Sequence, residues 1–244
     1  MSRSPSRRRW LLLLLLAVSI GLNVYQFRAG STDAAIVKSF HKLAYGNQDT
    51  WAANKWLGVT ALQNPNDAWI IQEIISETKP DLIVETGTWH GGGALYWAHV
   101  LEEVNADGRV LTIDIQDETA EARKVPLWQR RIEFLKGSSI APSTFAEVEK
   151  RAKGKRVLVI LDSDHSKNHV LAEMKLFAPL VSAGSYMIVQ DSNVNGHPVR
   201  PDFGPGPWEA IDEFLPQHPE FESDRSRERQ LFTMHPRGFL KKVR

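Results

Sequence analysis

The sequence predicts an α/β fold: a doubly wound, mostly parallel sheet with helices on both faces and an antiparallel C-terminal edge. Three observations predict it. Short apolar runs with almost no polar interruption, such as Val157 to Leu161 and Tyr186 to Val189, have the character of strands covered on both sides. Stretches with helical spacing separate these runs, as the crossovers of a parallel sheet require. Acidic residues stand at the ends of four runs, where the crevice of such a sheet opens: Glu85, Asp114, Asp162 and Asp191.

Taken in order, residues 31–65 read as a polar linker, a short amphipathic helix from Ala35 to Tyr45, and a connection through Trp51, Trp56 and Gly58. Asn66 or Asp67 can cap a helix from Ala68 to Thr78, which Lys79-Pro80 ends. Leu82 to Val84 is the first strand, followed by a glycine-rich turn and a helix from Ala94 to Val104. Strands follow at Val110 to Ile113, Ile132 to Leu135, Val157 to Leu161 and Tyr186 to Val189. Helices lie between them at Thr144 to Ala152 and Val170 to Leu180, and one more runs from Pro207 to Phe214. The alternation from Phe221 to Phe239 suits an antiparallel edge hairpin. Residues 66–244 thus form one catalytic-sized domain.

With 42% apolar and 24% charged residues the chain has ordinary globular composition, and its net charge of +1 combines a basic N-terminus with a nearly neutral remainder. This argues against a nucleic-acid partner. The absence of cysteine excludes disulfides, thiolate nucleophiles and sulfur-ligated zinc. Residues 1–30 read as a membrane anchor, or else a cleaved signal segment. Arg3, Arg7, Arg8 and Arg9 precede Trp10, six leucines and further apolar residues, an apolar stretch of roughly 18 residues at the lower limit for a bilayer span. No small-x-small cleavage site precedes Arg28, which favours the anchor. The arginines would stay cytoplasmic and place the domain across the membrane.

Three constellations carry chemistry. Glu85-Thr86-Gly87-Thr88-Trp89-His90-Gly91-Gly92-Gly93 lies between the first strand and its helix. Its glycines let backbone approach a ligand, and Glu85 suits a cationic amino-acid group rather than a pyrophosphate. Asp114, at the end of the second strand, can accept hydrogen bonds from both hydroxyls of a ribose, so the pair implies an adenosine ligand. Asp162-Ser163-Asp164-His165 and Gln190-Asp191 end adjacent strands. Their oxygens suit Mg²⁺, with His165 placed to accept a hydroxyl proton. Asp164 or Ser163 is expected to cap the next helix. His165 and His169 have the spacing of a helical zinc pair, without an HExxH pattern to support it. His90-Gly91-Gly92-Gly93 mimics the oxyanion loop of some esterases, but no GxSxG elbow exists to make the chain an α/β-hydrolase.

Together these residues resemble the rhamnosyl O-methyltransferase and cephalosporin hydroxylase family from about Val37 to Val243. The resemblance also rests on Trp56-Leu57-Gly58, Gln63-Asn64-Pro65-Asn66-Asp67, Gly184-Ser185-Tyr186, Gly204-Pro205-Gly206-Pro207 and the tail through Gly238-Phe239-Leu240. It implies a Rossmann-like methyltransferase fold that binds S-adenosylmethionine through Glu85, Gly87, His90, Gly91, Gly92, Asp114 and Ser138. It further implies Mg²⁺ on Asp162, Gln190 and Asp191, with Asp162 and His165 catalytic. Gln190 stands where the family pattern has an acid, which removes one charge from the metal site. The implied reaction is methylation of a hydroxyl on a saccharide, glycolipid or related small molecule. A membrane-tethered protein of this fold that binds cofactor without turnover is the alternative, and a homo-oligomer is open. Trp89, Phe203 and Trp208, with the loop Ser192 to Pro207, are candidate substrate walls.

Overall fold

The computed structural model describes residues 10–20 and 32–244, in two compact units, residues 1–40 and His41–Arg244. In the first unit, helix α1 covers residues 10–20, and Leu11 to Leu16 are exposed. The expectation of a membrane-spanning helix finds no support among the described residues, where no helix is long and apolar enough to cross a membrane. At 1.5 Å per residue, α1 reaches only about 16 Å against a hydrocarbon core of about 30 Å. The rest of the expected anchor lies outside the described residues. Helix α2 (Asp33–Gly46) buries His41 and Ala44.

The second unit begins within α2 at His41 and continues with a two-stranded antiparallel ribbon, β1 (Lys55–Trp56) and β2 (Val59–Thr60), not foreseen from sequence. Leu57 and Gly58 turn between them, both at positive φ as a two-residue hairpin demands. Then come α3 (Pro65–Thr78), β3 (Leu82–Thr86), α4 (Gly92–Val104), β4 (Arg109–Asp114), α5 (Pro126–Arg131) and β5 (Ile132–Lys136). The chain continues with α6 (Pro142–Ala152), β6 (Val157–Leu161), α7 (Lys167–Phe177), β7 (Tyr186–Val189), α8 (Pro207–Phe214), β8 (Phe221–Ser223) and β9 (Phe239–Lys242). The expected sheet is present as seven strands in the order β5-β4-β3-β6-β7-β9-β8; the first five are parallel and the last two antiparallel.

Alternate residues of the central strands enter opposite cores, which explains why the runs of β6 and β7 are apolar throughout. Val157, Val159 and Leu161 meet Val148, Met174, Phe177 and Phe214, from α6, α7 and α8. Leu158 and Ile160 face the other way, into the layer of Ile71, Ile74, Leu95, Trp97 and Trp128, from α3, α4 and α5. Two layers thus close over both faces of the sheet.

Several boundaries differ from the sequence reading. α3 starts at Pro65, with Asn64 at the cap, so Asn66 and Asp67 lie in its first turn. A proline at the first helical position donates no N–H where none is needed. α4 starts at Gly92, directly after Gly91 at positive φ. α7 ends at Phe177 and passes into a 3-10 turn through Pro179, which cannot extend an α-helix. The C-terminal edge is antiparallel as expected, but β8 and β9 are not a tight hairpin. Residues 224–238 make an excursion between them, and β9 inserts beside β7.

Strand order reverses between β3 and β6, which makes their carboxyl ends the switch point of the sheet. Gly87 leaves β3 there at φ +84, and a Cβ on it would lie 1.8 Å from the carbonyl oxygen of Asp162. Gly87→Ala is expected to cost at least about 3 kcal/mol, combining left-handed strain with a backbone clash. Thermal unfolding of the variant should show a midpoint lower by roughly 6 to 12 °C.

Candidate active site

Outside the carboxyl ends of the parallel strands lies a crevice of about 640 Å³. Glu85 forms part of its floor. This carboxylate is 2% exposed; Oε1 accepts the Trp97 indole N–H at 2.7 Å and Oε2 accepts the Thr112 hydroxyl at 2.5 Å. Burial pushes its pKa up to about 7, against the pull of those two bonds and with a further push from Asp114. Gly93 stands at the head of α4 directly over it. A cationic ligand group entering here would meet a carboxylate with little other compensation for its charge.

Asp114 closes the next strand. Oδ2 accepts the Trp89 N–H and Oδ1 the Gln116 N–H, both at 3.0 Å. Two backbone donors hold the carboxylate at the crevice rim while lone pairs remain for a diol. Trp89 and Ile115 flank the mouth and are largely exposed, and Gly137, Ser138 and Ser139 continue the wall after β5.

The expected cofactor residues divide. Glu85, Gly87, Gly92, Asp114 and Ser138 line the crevice. His90 and Gly91 do not. The turn closed by the Gly91 N–H on the Thr88 carbonyl swings His90 outward to within 3.5 Å of Glu118. Gly91 packs against Trp128, which a Cβ would approach to 2.6 Å. Its glycine serves packing of α4 on α5.

At the other end, His165 Nε2 lies 3.2 Å from Asp191 Oδ2 and 3.9 Å from Asp162 Oδ1. One ligand atom from each of these three residues falls within 4.8 Å of the others, so they could hold a metal ion. Burial, then the Asp191 and Glu85 carboxylates, drive the Asp162 carboxyl well above the usual range. A cation between Asp162 and Asp191 would relieve that repulsion, and two carboxylate oxygens are the hard donors Mg²⁺ selects. Gln190 is a correction to the expected metal set. It is 3% exposed, does not line the crevice, and its Oε1 accepts from Gln63 Nε2 at 3.3 Å. The third member of the cluster is His165.

Neither Asp164 nor Ser163 caps α7: its N-cap is Ser166, without a side-chain bond, and Asp164 accepts the Ser166 N–H at 2.7 Å in the turn ahead of the helix, while Ser163 donates to the buried Glu173. His165 and His169 do not converge: His169 Nε2 pairs with Ser139 Oγ at 3.1 Å and Glu173 Oε1 at 3.4 Å. Glu173 above all holds the His169 pKa up.

Of the candidate walls, Trp89 and Phe203 line the crevice and Trp208 does not; it stacks on His197 at 4.1 Å. Arg200, from the expected loop Ser192 to Pro207, also lines the crevice, while sequence reasoning missed Tyr45, Trp51, Leu62 and Gln63. Tyr45 and Trp51 stack with ring centroids 5.6 Å apart, and burial and Asp191 raise the Tyr45 hydroxyl. The density of tryptophan before Pro65 was the available signal, since exposed linkers seldom use that residue.

The family profile described as rhamnosyl O-methyltransferase/CmcI matches residues 48–243. Rhamnosyl O-methyltransferases of Mycobacterium bovis and Mycobacterium leprae are each 42% identical over 213 residues, 84% of this chain; the match spans 84% and 90% of those proteins respectively. Among solved structures, CmcI with Mg and SAM superposes with a TM-score of 0.60 at 20% identity, over 79% of this chain and 78% of that one. An O-methyltransferase from Bacillus cereus in complex with SAH gives 0.51 at 18%, over 78% and 81%. At those identities the likeness establishes the fold.

The raised pKa of Glu85 yields a pH prediction. Between its unfolded value of 4.5 and the folded value of about 7, the folded state binds the extra proton, so stability falls as pH rises through this window. In the absence of ligand the protein should lose about 2 kcal/mol or more between pH 5 and pH 8 relative to Glu85→Gln, measured by denaturant unfolding.

Proposed function

The chain belongs to the rhamnosyl O-methyltransferase/CmcI family and is an S-adenosylmethionine-dependent O-methyltransferase; we propose that the hydroxyl it methylates belongs to a saccharide, free or carried on a glycolipid, and that Mg²⁺ assists. The mycobacterial relatives support the acceptor class, since they are named for rhamnosyl methylation. The convergence of Asp162, His165 and Asp191 beside the Glu85 and Asp114 end of the same crevice carries the proposal.

S-adenosylmethionine supplies a methyl group on a sulfonium, and Mg²⁺ would supply charge stabilisation to an acceptor oxygen. Glu85 receives the amino-acid end of the donor, and the Gly87 backbone, packed against Asp162, forms the adjoining wall. Asp114 takes the ribose diol. These contacts fix the donor, and the Tyr45 and Trp51 side chains with Phe203 confine the acceptor opposite. Holding the two reactants in line contributes on the order of 7 to 11 kcal/mol. Asp162 and Asp191 would hold the ion, and their carboxylates orient His165 through its Nε2, which leaves the other ring nitrogen to accept the proton released from the acceptor hydroxyl. Gln190 gives this edge one charge fewer than an acid there would, so weak binding of Mg²⁺ is expected.

The N-terminal segment, on the same proposal, attaches the enzyme to a membrane. Four arginines ahead of an apolar helix with exposed leucines support this, and a glycolipid acceptor would then be delivered in the plane of the bilayer. Sedimentation with vesicles should retain the full chain, and loss of residues 1–31 should release it; equal partitioning would rule attachment out.

Calorimetric titration of S-adenosylhomocysteine tests the donor site. Asp114→Ala should weaken binding by about 10-fold or more, the cost of about 1.4 kcal/mol for two lost hydrogen bonds. Asp162→Asn should leave that affinity within a few-fold yet reduce methyl transfer to a rhamnoside by about 100-fold. Unchanged binding in the first variant, or unchanged turnover in the second, would refute the assignment.

A further inference from the structure

Gln63-Asn64-Pro65-Asn66-Asp67 precedes and begins α3, and only Gln63 of these residues lines the crevice. Asp67 is a carboxylate 1% exposed, far from solvent and without a cationic lysine or arginine bonded to it. It accepts the Asn64 side-chain amide at 2.7 Å, the Met234 N–H at 2.8 Å and the Thr233 hydroxyl. Thr233 in turn accepts the His235 N–H at 2.9 Å. The His235 ring is equally buried, and its Nδ1 accepts the backbone N–H of Asp191 at 3.0 Å. With Nδ1 accepting, the ring proton sits on Nε2, which has no hydrogen-bond partner and lies 3.8 Å from Asp67 Oδ2. Asp67 therefore faces the protonated nitrogen and selects the tautomer that can hold Asp191.

Asp191 needs holding. Its φ is +54, a left-handed conformation that strains a residue with a Cβ and persists only where surroundings impose it. The 234–238 segment imposes it from both sides: Val189 donates to the Gly238 carbonyl, Ser192 Oγ to Pro236, and Asn193 N–H to Met234. From the other end of the same short motif, Gln63 Nε2 donates to Asp162 Oδ2 at 3.2 Å and to Gln190 Oε1 at 3.3 Å. One segment thus reaches Asp162 directly and Asp191 through His235.

We propose that Gln63, Asp67, Thr233 and His235 form a clamp that sets the separation and aim of Asp162 and Asp191, and are positioning residues for methyl transfer. A buried carboxylate and imidazole stabilise a fold less than apolar side chains of the same volume would; what they supply here is a backbone acceptor in a defined place. The inference rests on the functional reading above.

The test compares purified full-length His235→Phe, His235→Asn and Asp67→Asn with the parent, reading methyl transfer to a rhamnoside and affinity for S-adenosylhomocysteine. Asn at 235 can present its carbonyl where Nδ1 was, and Phe cannot. Turnover should fall about 10- to 100-fold in His235→Phe and Asp67→Asn, as sub-ångström misplacement of reactive groups predicts, and recover to within about 3-fold of the parent in His235→Asn. Affinity for S-adenosylhomocysteine should stay within about 2-fold throughout, because Glu85 and Asp114 lie outside the clamp. Turnover at parental levels in His235→Phe, or cofactor affinity falling in step with turnover, would overturn the clamp. Thr233→Val, which removes one prop at nearly constant volume, takes the place of His235→Phe if that variant does not fold. A parent protein inactive on rhamnosides would defeat the saccharide reading instead. The clamp is then decided by the crystal structure of His235→Phe or Thr233→Val: Asp191 at positive φ and within about 0.5 Å of its place refutes it, and displacement from His165 supports it.

Discussion

The backbone of Gly87 lies against the carbonyl of Asp162 at the point where strand order reverses, and the working arrangement of the crevice depends on that approach. In-register pairing of Thr86 with Leu161 brings the carboxyl ends of β3 and β6 level. Any side chain on residue 87 would hold them apart. Glu85 and Asp114, proposed to receive the donor, lie on one flank and the Asp162, His165 and Asp191 cluster on the other, along one rim. Two layers of apolar residues, alternating along every central strand, keep that rim rigid from beneath.

The rim gathers negative charge. Glu85, Asp114, Asp162 and Asp191 all line it, and both Glu85 and Asp162 are pushed toward protonation by burial and by their neighbours. A crevice of this kind is electrostatically incomplete alone and complementary to positive ligands. A sulfonium amino acid and a divalent ion are two such ligands, and each would restore the charged state of the carboxylates that receive it. Gln190 tempers the effect: its buried amide is linked to Asp162 only through Gln63, leaving two carboxylates and an imidazole in the cluster.

What could be read from sequence was what local patterns encode. Apolar runs located five parallel strands to within a residue or two, and acids at strand ends located Glu85, Asp114, Asp162 and Asp191 because a parallel sheet leaves its carboxyl ends together. Contacts between distant segments were not legible. His90 and Gly91 were assigned to the ligand from a glycine pattern, but the pattern is shared between close approach to a ligand and helix packing, and Trp128 decides it for Gly91. Gln190 enters the metal set because the family pattern has an acid there, yet its side chain is buried against Gln63 and does not line the crevice. Tyr45 and Trp51 reach the crevice from an N-terminal segment that no periodicity relates to the sheet. The pairing of Asp67 with Thr233 and Met234 spans more than 160 residues and leaves no local signature.

The most direct measurement is a crystal structure of this protein with S-adenosylhomocysteine and Mg²⁺. The account predicts ribose hydroxyls on Asp114, the amino-acid end beside Glu85 and Gly87, and the ion between Asp162 and Asp191. A nucleoside bound elsewhere on the fold, or an ion away from both aspartates, would contradict it.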